Sequence, residues 1–97
     1  MSESLLLKLF VEFLGTFVFL SVILGTGEAI PIGVALVAVI FFGGKYSGGN
    51  FNPAVSFMSY LNDKLSFENM GLYVIVQLLA AACAYHFITS SNSISKN

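Results

Sequence analysis

Apolar residues along this chain fall into three long runs and one short run. The long runs predict membrane-spanning helices at about residues 5–25, 30–46 and 67–88, because a helix needs about 20 mostly apolar residues to cross the hydrocarbon core. The short run, from Phe51 to Leu61, is too short for a crossing. The pattern therefore predicts a segment that enters the membrane between the second and third spans and turns back.

The short run begins with two residues that start helices. Asn52 is suited to cap a helix, and Pro53 is suited to its first position, where the missing N–H has no helical partner. We therefore predict a re-entrant loop and half-helix at residues 47–61. Irregular backbone at membrane depth is tolerated only where it is buried or lines a water-filled cavity. The alternative is a surface loop followed by a capped surface helix.

The composition agrees with a membrane protein. Of the 97 residues, 57% are hydrophobic and 9% are charged, whereas soluble domains carry roughly 25% charged residues. The net charge of −1 excludes the basic footprint of a nucleic-acid-binding protein. We predict an all-α membrane protein with one domain, residues 1–97, that contacts the lipid bilayer through three transmembrane helices. The Ser- and Asn-rich tail, residues 89–97, is predicted to be disordered.

No group of side chains in the sequence suggests catalysis. The chain has one histidine and one cysteine, and it has no glycine-rich phosphate loop. Asp63 and Glu68 flank a polar break and are not spaced as an acid–base pair. We therefore predict that the protein is not an enzyme and that it uses no metal ion or cofactor.

The basic residues predict an orientation. Lys8, Lys45 and Lys64 fall on one side of the membrane in this topology, and Lys96 falls on the other. Because cytoplasmic loops are enriched in Lys and Arg, we expect the N-terminus to lie in the cytoplasm.

Asn52 is the main candidate for a functional side chain. As a cap, its oxygen binds a backbone N–H, which leaves its amide NH₂ free to meet a passing molecule. The half-helix adds the positive end of its dipole, about half an elementary charge. A hydrogen-bond donor in a positive field suits a neutral polar solute and repels cations. In an extended loop, the same channel would be faced by the carbonyl groups of Gly48, Gly49 and Asn50.

Two polar residues inside the long runs are predicted to brace this loop. Glu12 lies inside the first span, where a carboxylate costs roughly 2.5 kcal/mol or more toward the centre. We expect it to face inward and to accept hydrogen bonds from the unpaired N–H groups of the loop. The alternative is that its side chain reaches the near membrane surface. Gln77 in the third span is expected to make a hydrogen bond between helices.

Three motifs follow one another along the chain. They are Val-Glu-Phe-Leu-Gly-Thr at residues 11–16, Ser-Gly-Gly-Asn-Phe-Asn-Pro-Ala-Val-Ser at residues 47–56, and Tyr-Val-Ile-Val-Gln at residues 73–77. The first resembles the Ala-Glu-Phe-Leu-Gly-Thr motif of the aquaporin and glycerol-facilitator family (major intrinsic proteins). The second resembles the Ser-Gly-Ala-His-Phe-Asn-Pro-Ala-Val-Thr loop of that family, and the third resembles the start of its third helix.

The resemblance implies a passive channel for water or small neutral solutes such as glycerol. Asn52, Pro53 and Ala54 correspond to the family's Asn-Pro-Ala motif, and the resemblance assigns Asn52 as the hydrogen-bond donor at the centre of the pore. One wall of the path would be formed by the carbonyl groups of Gly48, Gly49 and Asn50, and Glu12 would brace the loop. Ile32 falls at the narrow selectivity constriction, where water-selective members often carry Phe, so a wider opening is implied.

The chain also departs from the family pattern. The family fold has two inverted halves whose Asn-Pro-Ala loops meet at mid-membrane, and the resemblance covers the N-terminal half only. Lys45 and Asn50 replace two histidines that are common in the loop. Because one half does not enclose a pore, a homo-oligomer or a second aquaporin-like half is expected to complete it. The alternatives are a non-conducting membrane interaction subunit and a remnant of a full-length aquaporin.

Overall fold

The computed structural model describes the backbone of residues 1–96 and the side chains of residues 1–92. Over this range the chain forms four helices: α1 (Glu3–Thr26), α2 (Ala29–Ser47), α3 (Pro53–Leu61) and α4 (Phe67–Lys96). The helices α1, α2 and α4 are each long and apolar enough to span a membrane, and α3 is a nine-residue helix. The predicted all-α fold, with three spans and one half-helix, is confirmed.

Glycines in the left-handed conformation end α1 and α2. Gly27 follows α1 with a φ of 63°, and Gly48 follows α2 with a φ of 92°. Each donates its N–H to the carbonyl four residues earlier, which closes the last turn with a residue type that adopts positive φ without strain. Only residues 27 and 28 separate α1 from α2, so the two helices run antiparallel.

The helix α1 is the central element of the bundle. It packs against both α2 and α4, and α3 packs against α4. Small residues lie on the buried faces, namely Ala35 on α2 and Ala80 and Ala84 on α4. Small side chains let helices approach closely in lipid, where packing rather than the hydrophobic effect holds them together.

Large apolar side chains cover the outside of the bundle. Ile30 and Phe41 on α2, for example, expose 77% and 75% of their surfaces. Soluble monomers rarely expose apolar surface on this scale. The bundle is 47 Å long, which exceeds the roughly 30 Å of a hydrocarbon core. The chain is an integral membrane protein.

The last helix is longer than predicted. It continues to Lys96, so the predicted disorder of the tail is wrong for residues 89–96, and Asn97 lies outside the described residues. This stretch contains neither glycine nor proline. The hydroxyl of Thr89 donates to the carbonyl of Tyr85 at 2.7 Å, so it bonds within the helix instead of competing with it.

Candidate functional site

A buried carboxylate holds the loop that joins α2 to α3. Glu12 of α1 has none of its surface exposed. Its Oε2 accepts hydrogen bonds from Ser47 Oγ at 2.6 Å and from the backbone N–H of Asn50 at 3.0 Å. Its Oε1 accepts from the backbone N–H of Phe51 at 2.7 Å and from Gln77 Nε2 at 2.9 Å. These donors compensate the carboxylate for its lost hydration, and they tie α1, the loop and α4 together.

The same contact fixes the depth of the loop. Glu12 lies nine residues after Glu3, the first residue of α1, which is about 14 Å along a helix that rises 1.5 Å per residue. Asn50 and Phe51 lie beside it. The loop therefore lies within the height of the spanning helices, which disfavours the alternative of a surface loop.

The loop backbone is shaped to present two consecutive N–H groups to Glu12. Gly48, Gly49 and Phe51 have positive φ angles of 92°, 70° and 56°. Glycine adopts such angles without strain, whereas a left-handed Phe costs roughly 1 kcal/mol or more. The hydrogen bond to Glu12 and the burial of the Phe51 ring offset that strain.

The Phe51 ring fills a space that two glycines leave open. Its side chain is buried, and the ring lies against Gly15 of α1 and Gly43 of α2. A Cβ atom on Gly43 would lie 3.0 Å from Phe51 Cζ. The ring thereby anchors the loop between the two helices. This role was not predicted, although glycines inside apolar spans were a signal of close approach.

A closed ring of hydrogen bonds joins the loop to α3 and α4. Ser56 of α3 is fully buried, and its Oγ accepts from Asn50 Nδ2 at 3.0 Å and from Gln77 Nε2 at 2.7 Å. Since Gln77 Nε2 and the Asn50 backbone N–H also donate to Glu12, the ring closes through these four residues. Asn50, which replaces a histidine of the resembled loop, is thus bonded on both its main chain and its side chain.

Tyr73 of α4 also supports the end of α2. It exposes 1% of its surface, and its hydroxyl donates to the backbone carbonyl of Ser47 at 2.7 Å. This contact was not predicted from the sequence. A signal for it was the spacing of Tyr73 and Gln77, because residues four apart lie on the same face of a helix.

Asn52 is exposed, unlike the buried residues of this hydrogen-bond network. Its Oδ1 accepts a hydrogen bond from the backbone N–H of Ala54 at 2.7 Å, which caps α3. Among the residues that the structure describes, its amide NH₂ has no hydrogen-bond partner. Ala54 is exposed and Pro53 is half-buried. The start of α3 therefore offers a free hydrogen-bond donor beside a helix N-terminus.

The comparison with known proteins decides the family. The profile described as major intrinsic protein matches residues 2–96. The chain belongs to this family. The predicted family is therefore confirmed, and the Glu12-braced loop of this major intrinsic protein leads into its Asn-Pro-Ala motif at the start of α3.

Several relatives of this major intrinsic protein show how much of a channel it covers. Glycerol uptake facilitator protein-like 6 of Lactiplantibacillus plantarum is 38% identical over 87 residues, which cover 79% of this chain and 40% of that protein. Aquaporin-10 of Homo sapiens is 32% identical over 88 residues, which cover 75% and 29%. Aquaporin PIP2-1 of Arabidopsis thaliana is 34% identical over 67 residues, which cover 69% and 23%. No solved structure gives a significant match.

The chain thus spans less than half the length of these relatives, 23% to 40%. The matches lie in the N-terminal portion of those proteins. The predicted resemblance to an N-terminal half agrees with this coverage.

Ile32 of this major intrinsic protein lies apart from the loop. It is half-buried on α2, eleven residues before Gly43, which is roughly 16 Å along the helix. The loop lies closer to Glu12, which accepts a hydrogen bond from the backbone of Asn50. Along the loop, Asn50 is buried, Gly49 is half-buried and Gly48 is exposed. The roles of Ile32 and of the loop carbonyls stay predictions.

Proposed function

We propose that residues 1–96 form one side of a passive transmembrane channel for water or small neutral solutes such as glycerol. The proposal depends on one observation: Glu12 holds the loop from the inside, while the Asn52 amide at the start of α3 stays exposed. In this proposal the amide donates a hydrogen bond to the solute at the centre of the path, and the chain catalyses no reaction. The names of the relatives, a glycerol uptake facilitator and aquaporins, support the solute class.

Electrostatics supports a neutral solute. The N-terminus of α3 carries a partial positive charge of about half an elementary charge. A cation is repelled there, and so is a proton moving along a chain of waters. The carboxylate of Glu12 is buried and compensated by its donors, so it adds no exposed negative charge to the path.

The proposed lining extends from Asn52 in both directions. The carbonyl groups of Gly48, Gly49 and Asn50 would form one wall and accept hydrogen bonds from the solute. Ile32, near the start of α2, would contribute to a constriction. That constriction would be wider than one with Phe at the same position.

A second half-helix is needed opposite α3. A polar helix end at mid-membrane requires protein or water in front of it, because lipid offers no hydrogen bonds. We propose that a second aquaporin-like half supplies it, either from another copy of this chain in the opposite orientation or from another polypeptide segment. Where the second half comes from another polypeptide segment, the lysine distribution supports a cytoplasmic N-terminus for this chain.

Osmotic shrinkage of proteoliposomes tests the proposal. The assembly is extracted from its native membrane in mild detergent, reconstituted, and mixed rapidly with a sucrose solution. We expect a water permeability above that of empty vesicles. Ala54→Trp, at the exposed start of α3, should abolish it, whereas Ala82→Trp, at an exposed position of α4, should not. Permeability equal to that of empty vesicles, with native helix content, would overturn the proposal.

A second candidate function is that of a non-conducting membrane interaction subunit. It is favoured by the apolar face that α2 exposes, with Ile30, Val34, Val37 and Phe41 all exposed. Crosslinking in native membranes separates the two functions. Crosslinks from the start of α3 to another copy or segment favour the channel, and crosslinks that arise only from the exposed face of α2 favour the subunit.

A further inference from the structure

An open apolar groove of about 350 Å³ runs between α1 and α2. The residues that line it include Val11, Leu14, Val18, Ala38, Phe42 and Phe51. Its volume falls at the lower end of the range of about 300–1,000 Å³ for small-molecule sites. Because Leu14 and Phe42 are exposed, the groove is open at the surface of the bundle.

Two lysines continue the lining of the groove. Lys8 lies three residues before Val11, and Lys45 lies three residues after Phe42. Residues three apart are neighbours on a helix surface, so each lysine extends the groove-lining stripe of its own helix. Lys45 is exposed and Lys8 is half-buried.

Both lysines lie at the same end of the groove. The hydrogen bond between Glu12 and Ser47 shows that the beginning of α1 is level with the end of α2. The ammonium group of Lys45 is 5.2 Å from the centre of the Tyr46 ring, and Tyr46 itself lines the groove. The groove therefore has an apolar body and a basic end with an aromatic residue, the combination found where a span meets the membrane surface.

Nearby acidic groups do not neutralise this basic end. Glu12 is buried, and its oxygens are occupied by donors of the loop and of α4. Glu3 is five residues before Lys8, about 140° around α1 from it, and in the part of the chain that the structure describes neither lysine forms an ion pair with a carboxylate. Asp63 follows α3 and Glu68 lies in the first turn of α4, a helix that packs against α1 and α3 and reaches the end of α2 through Tyr73.

We propose that the groove binds an acyl chain of an anionic phospholipid whose headgroup is held by Lys8 and Lys45. The apolar body matches the chain, and the two ammonium groups attract a negatively charged headgroup. A second copy of this chain is the competing occupant. An apolar helix in the groove would leave both lysines without an anionic partner, which is why the charge distribution favours lipid.

Native mass spectrometry of the purified protein in detergent tests the proposal. The probes are phosphatidylglycerol and phosphatidylcholine with identical acyl chains. We expect phosphatidylglycerol to bind about tenfold more tightly. The double variant Lys8→Gln/Lys45→Gln should remove this difference, and Leu14→Ala should weaken the binding of both lipids several-fold, since it shortens the apolar contact.

A matched control and a folding check complete the experiment. Lys64→Gln, between α3 and α4, should leave the preference unchanged, and circular dichroism should show native helix content for every variant. Lys8→Arg/Lys45→Arg should retain the preference. Equal binding of the two lipids by the unaltered chain would overturn the proposal, and so would an equal loss in Lys64→Gln. A change of oligomeric state in Leu14→Ala without a change in lipid binding would assign the groove to a second copy.

Discussion

The ring of Phe51 packs against Gly15 so closely that a Cβ atom at position 15 would overlap Phe51 Cε1. On its other side the ring lies against Gly43, where a Cβ atom would lie 3.0 Å from Phe51 Cζ. Two kinds of contact thus hold the loop in place. Glu12 holds its backbone by hydrogen bonds, and the two glycines hold its one large side chain by shape.

Gly15→Ala should therefore destabilise the protein. Alanine gains up to about 1 kcal/mol of helix propensity over glycine, but forcing a methyl group into a packed contact costs about 1–3 kcal/mol. Because the Phe51 ring also lies against Gly43 and its backbone is held by Glu12, we expect the steric cost to exceed the gain and the net loss to be about 1–2 kcal/mol. The free energy of unfolding in detergent, measured by denaturant titration, checks this.

Gly71→Ala is the matched control, since a Cβ atom there meets nothing within 4 Å. It should be neutral or slightly stabilising. In a double-mutant cycle, Phe51→Ala should remove most of the additional loss caused by Gly15→Ala. Full additivity of the two changes would show that the Phe51 ring is not what excludes a side chain at position 15.

Glu12→Gln should weaken the brace while keeping its shape. One carboxylate oxygen becomes an NH₂ group, which cannot accept from a backbone N–H, so at least one buried donor of the loop loses its partner. Leaving a buried group unsatisfied costs about 1–3 kcal/mol, and more where a charge is involved. We expect a loss of about 2–3 kcal/mol in the free energy of unfolding.

Amide hydrogen exchange gives a local check on the Glu12→Gln variant. The N–H groups of Asn50 and Phe51, which donate to Glu12, should exchange faster, while those in the middle of α4 should not. Glu3→Gln, in the exposed first turn of α1, is the control and should change neither quantity. Unchanged protection at positions 50 and 51 would contradict the brace.

Ser56→Ala should uncouple the loop from α3. Its Oγ accepts from both Asn50 and Gln77, and Gln77 keeps Glu12 as a second acceptor, so Asn50 Nδ2 is the group left unpaired. We expect a loss of about 1–2 kcal/mol in the free energy of unfolding. Ser59→Ala, three residues along α3, is the control. In a double-mutant cycle with Asn50→Ala, the double variant should lose less free energy of unfolding than the sum of the two single losses. Strict additivity would argue against the hydrogen bond between Asn50 and Ser56.

Local signals predicted the elements of this fold well. Asn52 and Pro53 mark the start of a helix by chemistry that involves only neighbouring residues, and α3 begins at Pro53 with an Asn52 cap. The spans follow from apolar length alone. The end of α4 was missed, because a run of Ser and Asn also occurs in loops, and the sequence does not show that Thr89 bonds within the helix.

The partners within the site were harder to predict. That a buried carboxylate such as Glu12 needs donors follows from its energetics, but which donors it finds depends on contacts across 35 to 65 residues. For this reason the contacts of Tyr73 and Ser56 were not predicted from the sequence. The position of Phe51 depends on a positive φ and on two glycines in different helices, a combination that appears only once α1 and α2 are packed.

Asn52→Asp should turn a pore that repels cations into one that admits them. Aspartate caps a helix as well as asparagine does, so α3 should persist and only the charge should change. The start of α3 carries about +0.5 elementary charge, and adding a carboxylate reverses its sign to about −0.5. In proteoliposomes containing the native assembly, sodium leak should rise while water flux is retained. Asn62→Asp, at the other end of α3, should leave the leak unchanged. Equal leak in both variants and in the unaltered assembly would mean that Asn52 does not face the path.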